Sequence, residues 1–388
     1  MLPSNIRPYN SLMVTPRRLG YIPALDGLRG ISILMVMLVH TRLPGFSMGS
    51  LGVDVFFVLS GFLITALLAT EHRQTGRISL VGFYRRRVFR LMPCLLVVMA
   101  SALVLSYVVG GAQMVDGTAR MALSTFLYTG NWSYLYDPAI HNGLLPITWS
   151  LSVEEQFYIL WAPALALFLW RDVGRRVMLA AVIAAALLSA SWSAWLALGQ
   201  GESMRALYGS DTRAQMLLVG CAAGLLFAWG KVPTSIRSGR ALAIVGGAGA
   251  AFVLALDGLA WGGADVWPAI FAGGHLFLAV AVAALILSLA TSPPAAVRRV
   301  LEYPSLVGLG KVSYGLYLWH GVFFWLFDEM PLVPALVLAS SLSLAAATLS
   351  YYTVERYFLW VGRRASAGKH HERAATARDY PAQAHSDL

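Results

Sequence analysis

The sequence predicts an all-α membrane bundle of about ten transmembrane helices, with both termini on the cytoplasmic side. Three observations carry this. Of 388 residues, 58% are hydrophobic and only 12% are charged, about half the charged share of an ordinary soluble domain; mean hydropathy is +0.65. The apolar residues come in long runs, such as 31–39, 95–109 and 276–290, the mark of a polytopic membrane protein. The basic residues then fall on alternate loops, as the positive-inside rule requires. A disordered chain, a collagen-like chain and an ordinary cytosolic enzyme are excluded.

Taking roughly 20 residues per span, the spans run near 27–41, 51–69, 91–111, 150–170, 177–198, 213–230, 240–260, 266–290, 310–328 and 333–357. Residues 1–20 contain Arg7, Arg17 and Arg18 but no apolar core. They read as a cytoplasmic segment rather than a signal peptide. The stretch 119–130 is too short and polar to span and reads as an interfacial helix in a long outer loop. The membrane domain covers 21–360, and 361–388 reads as a polar, disordered cytoplasmic tail. With the first residue inside, most of the 29 Lys and Arg sort to the inner side, among them Arg73, Arg77, Arg85, Arg171 and Arg175. Arg42, Arg120, Arg205 and Arg213 fall outside. The net charge of +10 follows from basic loops beside an anionic membrane surface and requires no nucleic acid. Cys94 and Cys221 lie in apolar runs and read as core residues rather than a disulfide. No Cys/His cluster has metal-ligand spacing.

Ionisable residues inside a membrane are costly, so each is a functional candidate. Arg29 and His40 are three helical turns plus about 20° apart, on one face, at opposite ends of the first span. Asp54 enters the second span from the outside, near the depth of His40. A carboxylate beside a histidine fixes its tautomer and raises its basicity; the plain alternative is a helix cap. Glu154 and Glu155 open the fourth span about 100° apart, so both cannot face lipid cheaply. Ser150, Glu154 and Tyr158 share a face by their four-residue spacing. Asp211 and Arg213 could pair at the same outer level. His320 lies nearer the middle of the ninth span, past Tyr317. On the inner side, Arg87 and Arg90 share a face below the third span, beside Arg86; guanidinium forks suit phosphate, and a positive-inside anchor is the simpler account. Gly61 lies on the Asp54 face and would let helices approach closely.

Several stretches together resemble acyltransferase family 3, the bacterial integral-membrane O-acyltransferases. They are 23–30 (Pro23, Leu25, Asp26, Gly27, Leu28, Arg29, Gly30) with His40, 52–62 (Gly52, Val53, Asp54, Phe56, Phe57, Ser60, Gly61, Phe62), and Phe83 to Pro93 with Arg86 and Arg90. Then come 149–158, including Ser150, Ser152, Glu154, Glu155 and Tyr158, Asp211–Thr212–Arg213, 313–320 from Ser313 to His320, and Val354–Glu355–Arg356. They occur in order over roughly 21–360.

The resemblance implies a membrane-embedded acyltransferase that uses cytoplasmic acyl-CoA, usually acetyl-CoA, as cosubstrate, with no permanently bound cofactor and no metal. Acceptors in the family are commonly sugar hydroxyls of lipopolysaccharide, other surface polysaccharide or peptidoglycan; some relatives acylate macrolides. By position, the family's Arg/His pair is Arg29 and His40, and its donor-linked Arg pair is Arg87 and Arg90. Some relatives add an esterase-like domain; the chain stops soon after the last span, so none is expected here. The working expectation has Arg29, Arg86, Arg87 and Arg90 on the donor side and His40 as general base. A carboxylate (Asp54, Glu154 or Glu155) would support His40, while Ser152, Asp211, Arg213, Tyr317 and His320 would bind substrate or hold structure. Tyr128, Trp132, Tyr134 and Tyr136 would meet sugar rings or the membrane interface. Partners would be acyl-CoA, a glycan or glycolipid acceptor and membrane lipid. Buried ionisable residues also serve proton-coupled transporters, the alternative class. The expected location is the bacterial inner membrane.

Overall fold

A computed structural model describes residues 20–362 apart from 42 and 44, together with residue 364. Residues 1–19 and 365–388, Arg42 and Arg363 lie outside the described residues, so the N-terminal segment and polar tail are not placed. Among the described residues every regular element is helical and there is no strand.

The chain runs through α1 (Pro23–Val39), a short turn (Ser47–Leu51), α2 (Gly52–Thr75) and α3 (Leu80–Val109). The expected interfacial helix resolves into two, α4 (Ala112–Phe126) and α5 (Gly130–Tyr136). There follow α6 (Trp149–Trp170), α7 (Arg175–Ala194), α8 (Ser203–Tyr208), α9 (Ser210–Ala228) and α10 (Ile236–Trp261). The one-turn α11 (Trp267–Ala269) leads into α12 (His275–Thr291), then α13 (Ala295–Leu301), α14 (Pro304–Leu326) and α15 (Leu332–Ser350).

Among the described residues, six helical stretches are long and apolar enough to cross a membrane: Ser47–Thr75, Leu80–Val109, Arg175–Gly199, Ile236–Trp261, Trp267–Thr291 and Leu332–Gly362. This is a multi-pass membrane protein. The four remaining expected spans also form helices: α1, α6, α9 and α14. At 17 residues α1 is the shortest of them, and α6, α9 and α14 carry polar residues of the site, which lowers their apolarity. Ser150, Ser152, Arg213, Gln215, Ser313 and His320 are buried there against other helices, where their partners offset the cost of leaving water.

Close helix contacts are made by glycine. On α1 and α14, a Cβ at Gly30 would stand 2.3 Å from the Leu306 carbonyl oxygen, and one at Gly310 would stand 1.8 Å from that of Asp26. On α2 and α9, a Cβ at Gly61 would stand 2.0 Å from the Leu217 carbonyl oxygen, so the close approach expected at Gly61 is present. Gly310→Ala should therefore wedge α14 away from α1. Its cost should reach or exceed about 1–3 kcal/mol, the usual range for overpacking, because the clash is with backbone and cannot relax by a rotamer change. Thermal unfolding in detergent measures it; an unchanged midpoint would contradict the packing.

Two irregular turns deliver polar side chains. The π turn Ile270–Gly274, with Gly273 at φ +142°, precedes His275. The π turn Tyr351–Glu355 ends on Glu355. Such turns re-aim side chains within a helix. Cys94 and Cys221 are free and buried.

Candidate active site

We call the end of the bundle where α2 gives way to α3 the arginine end. A cavity of about 680 Å³ opens there between Glu71 and Arg86 and runs inward past Arg29, Arg87 and Arg90 to Ser150 and Tyr317. Its size suits a small-molecule site. Arg86 meets Glu71 at 3.5 Å. Arg90 lies close to both Arg29 and Arg87, which repel its charge. Among the described residues, Arg29 and Arg90 have no carboxylate within ion-pair distance. Adjacent guanidiniums without an ion-pair partner favour an anion.

Arg87 is placed differently from its expected role. Its guanidinium donates to Glu155 Oε1 at 2.8 Å and stacks with Cζ 3.5 Å from the Tyr158 ring centroid. The cause is register. α3 begins at Leu80, so Arg87 stands about 10 Å up that helix, level with Glu155 descending α6 from the other end. Both Arg87 and Arg90 line the cavity, but the charge of Arg87 is already paired with Glu155.

Glu154 also joins this level. Its Oε1 accepts from the Tyr158 hydroxyl at 2.5 Å and from Ser60. The shared Glu154–Tyr158 face is as the spacing predicts. Ser150 lines the same cavity as Glu154 and Tyr158 and pairs with the Tyr317 hydroxyl at 2.6 Å, while Tyr317 donates to the Ile147 carbonyl at 2.8 Å. Tyr128 sits in the turn after α4. Burial first, and the charge of Glu155 second, push its phenol up to about 12, so it remains a neutral donor.

At the far end of the cavity stand two histidines. His40 and His320 pack edge to face with ring centroids 5.2 Å apart. The Nδ1 of His40 lies 2.7 Å from the Val36 carbonyl oxygen. A carbonyl only accepts, so Nδ1 carries the proton and Nε2 is left basic. None of the expected carboxylates forms a hydrogen bond with His40; its own helix fixes the tautomer. His40 opens on a second, smaller cavity of about 170 Å³, walled by Thr41, Phe324 and Phe327.

Asp54 has another task. It is fully buried, ion-paired with Arg213, and accepts from His275 Nδ1 at 2.7 Å. The Arg213 guanidinium is shielded by Phe57 and Trp149, 5.6 and 5.9 Å from their centroids. Three helices, α2, α9 and α12, are tied by this cluster. Asp211, paired with Arg213 in the sequence reading, instead binds Arg205 at 2.7 Å and Trp192 Nε1 at 2.8 Å. Ser152 takes a structural part, accepting from the Gly130 N–H at 3.0 Å and so holding α5 to α6.

The aromatics of α5 assemble with those of α6 and α8. Tyr134 packs on Tyr208 at 4.5 Å, and Tyr208 on Trp149 at 4.6 Å. Trp132 and Tyr136 lie parallel within 3°, with Arg205 4.7 Å over Trp132.

Sequence reasoning missed His275 and Glu355 as site residues. His275 is an ionisable residue inside an apolar span, the very signal that marks candidates. Glu355 is buried, close enough to Arg90 and Arg29 to feel their charge, and stood in a matching motif without being given a role. No three His, Cys, Asp or Glu among the described residues are placed to hold a metal ion.

The peptidoglycan O-acetyltransferase OatA of Listeria monocytogenes is 32% identical over 311 residues, covering 77% of this chain and 49% of its own. The O-acetyltransferase OatA of Staphylococcus aureus is 33% identical over 317 residues, covering 79% and 51%. The putative peptidoglycan O-acetyltransferase YrhL of Bacillus subtilis is 29% identical over 347 residues, covering 87% and 54%. The chain spans about half the length of the curated relatives it matches. No solved structure matches it. The acyltransferase domain of family 3 matches residues 22–354, from the residue before α1 to the last residue before Glu355, and the chain belongs to that family.

Proposed function

We propose that the chain is an inner-membrane O-acetyltransferase that takes an acetyl group from cytoplasmic acetyl-CoA and places it on a hydroxyl of a cell-wall glycan, peptidoglycan first among the candidates. In this reading all ten long helices span, and the arginine end faces the cytoplasm. One observation carries it: a cavity lined by arginines at one end finishes beside a histidine pair whose other side faces a second cavity. The first suits an anionic thioester donor and the second a hydroxyl. Arg29, Arg86 and Arg90 hold the donor's phosphates. Arg87, Glu155 and Tyr158 brace the wall. His40 Nε2 takes the hydroxyl proton as oxygen attacks the thioester carbonyl. The outer aromatics offer faces to sugar rings. The names of the relatives supply the acceptor class.

The test uses the full chain in nanodiscs with acetyl-CoA and peptidoglycan fragments. Free thiol should appear together with a mass gain of one acetyl group on the glycan. Thiol release without an acetylated glycan would move the acceptor elsewhere; solute movement without thiol release would make the protein a transporter. The arginines give a second check. Arg90→Ala should weaken acetyl-CoA binding by about 1–3 kcal/mol, roughly 5- to 150-fold, by losing a charge-assisted contact. Arg87→Ala should chiefly destabilise the fold, because it leaves Glu155 buried without its cation. Equal binding by wild type and Arg90→Ala would put the phosphates elsewhere.

A further inference from the structure

We propose that Ser313 is a donor-binding residue whose hydroxyl bonds an amide of the pantetheine arm of acetyl-CoA, so that the large cavity recognises the arm as well as the phosphates. The inference rests on the reading above, in which acetyl-CoA enters from the arginine end.

The first observation is an unpaired hydroxyl. Among the described residues, two buried hydroxyls have no hydrogen-bond partner, Ser313 Oγ and Thr70 Oγ1. Both residues line the large cavity. Thr70 stands beside Glu71 near the mouth, whereas Ser313 is deep and 1% exposed. A helical serine has a ready partner in the carbonyl four residues back. Ser32 takes it, 2.8 Å from the Leu28 oxygen, and so does Ser343, 2.5 Å from that of Ala339. Ser313 does not. A buried hydroxyl without a partner has lost its hydration and gained no bond, and alanine would line the same wall without that loss. The hydroxyl therefore fits a partner that arrives with the ligand.

The second observation is depth. α1 and α14 run side by side in the same direction: Gly310 meets Asp26 near their starts and His320 meets His40 near the other end. Arg29 and Ser313 each stand three residues past the Asp26–Gly310 contact, so they share a level. The long Arg29 side chain leans back toward the start of its helix, which is the arginine end, and the short Ser313 side chain stays inward of it. Tyr317, where the cavity ends, is four residues further along the same face, about 6 Å. The stretch between the guanidinium and Tyr317 is where the arm of the donor must lie.

The chemistry of the arm fits that stretch. In an extended acetyl-CoA, the amide nearest the sulfur has its carbonyl carbon five bonds from the thioester carbon, roughly 6–7 Å. A thioester at the level of Tyr317 therefore puts that amide at the level of Ser313. The amide offers both an N–H and a carbonyl, and a hydroxyl can meet either. The facing wall is apolar, with Leu59, Leu63 and Ile64 of α2, and suits the methylenes that flank the amide. A ligand of phosphates alone would leave the Ser313 hydroxyl unpaired.

The test compares wild type and Ser313→Ala as full chains in nanodiscs, with two ligands. One is acetyl-CoA; the other is adenosine 3′,5′-bisphosphate, which carries phosphates and the nucleoside but no arm. Ser313→Ala should bind the bisphosphate within about twofold of wild type and acetyl-CoA roughly 3- to 10-fold more weakly, the loss of one neutral hydrogen bond. The thermal midpoint of the ligand-free variant should equal or exceed that of wild type, since no bond within the protein is lost. Acetyl-CoA affinity within about twofold of wild type overturns the inference, because water alone would then serve the hydroxyl. An equal loss for both ligands overturns it too, as does a fall of several degrees in the ligand-free midpoint; either would mark Ser313 as serving the fold. If wild type binds neither ligand, the donor reading itself fails and the role of Ser313 falls with it, a result seen without any variant.

Discussion

His40→Ala is expected to lower acetyl transfer by roughly 100- to 10,000-fold, the span typical of a general base, and to leave acetyl-CoA binding nearly unchanged. The reason is geometric. α1 carries Arg29 into the arginine-lined cavity and His40, three turns later on the same face, into the small cavity. One helix therefore reaches both substrates at separate places. The ring of His40 packs on His320 and its Nδ1 bonds the Val36 carbonyl, so it leans on neither Arg29 nor Arg90. A base acts on the transition state, so its loss should appear in kcat rather than in donor affinity. Titrating acetyl-CoA against each variant and following thiol release separates the two quantities. The arrangement fails if His40→Ala loses donor binding while Arg29→Ala and Arg90→Ala keep it, because that would put the donor at the opposite end.

What sequence could show and what it could not divide along a physical line. Helix positions were legible because apolar runs of membrane length leave little choice of structure. The Glu154–Tyr158 contact was legible because it is local, one helical turn apart on α6. Glycine at position 61 was legible as a close-approach site, and it meets the backbone of α9. Partners between helices were not. Arg87 and Glu155 were expected on opposite sides of the membrane, yet they form an ion pair. Depth depends on where each helix starts and on its tilt, and spacing encodes neither. Asp54 was offered to His40 on similar depth alone. Depth does not say which helix lies alongside, and α2 packs against α9 and α12, bringing Arg213 and His275 to it. The Asp211–Arg213 pairing could have been refused from sequence. Two residues apart on a helix point about 200° from each other. Once α9 was placed to start at Ser210, Asp211 and Arg213 had to face different neighbours.

Asp54→Ala should be the most destabilising single change in the protein, at about 3–5 kcal/mol, the cost of leaving one member of a buried ion pair uncompensated. The Arg213 side chain is 3% exposed and that of Asp54 is 0% exposed, so water cannot replace the lost partner. His275 would lose its acceptor at the same time. Folded proteins have only about 5–15 kcal/mol in reserve, so much of the variant should unfold or aggregate on extraction. The double variant Asp54→Asn with Arg213→Met distinguishes a fold-holding pair from a catalytic one. Removing both charges while keeping similar volumes often restores stability, so its thermal midpoint in detergent should lie well above that of Asp54→Ala. Activity should then return with folding, because neither residue faces either cavity. A double variant that is stable but inactive, with acetyl-CoA still bound, would show that Asp54 acts on the reaction. In that case the cluster of α2, α9 and α12 would have to reach His40 through a rearrangement, bringing its carboxylate to the imidazole that Val36 now orients alone.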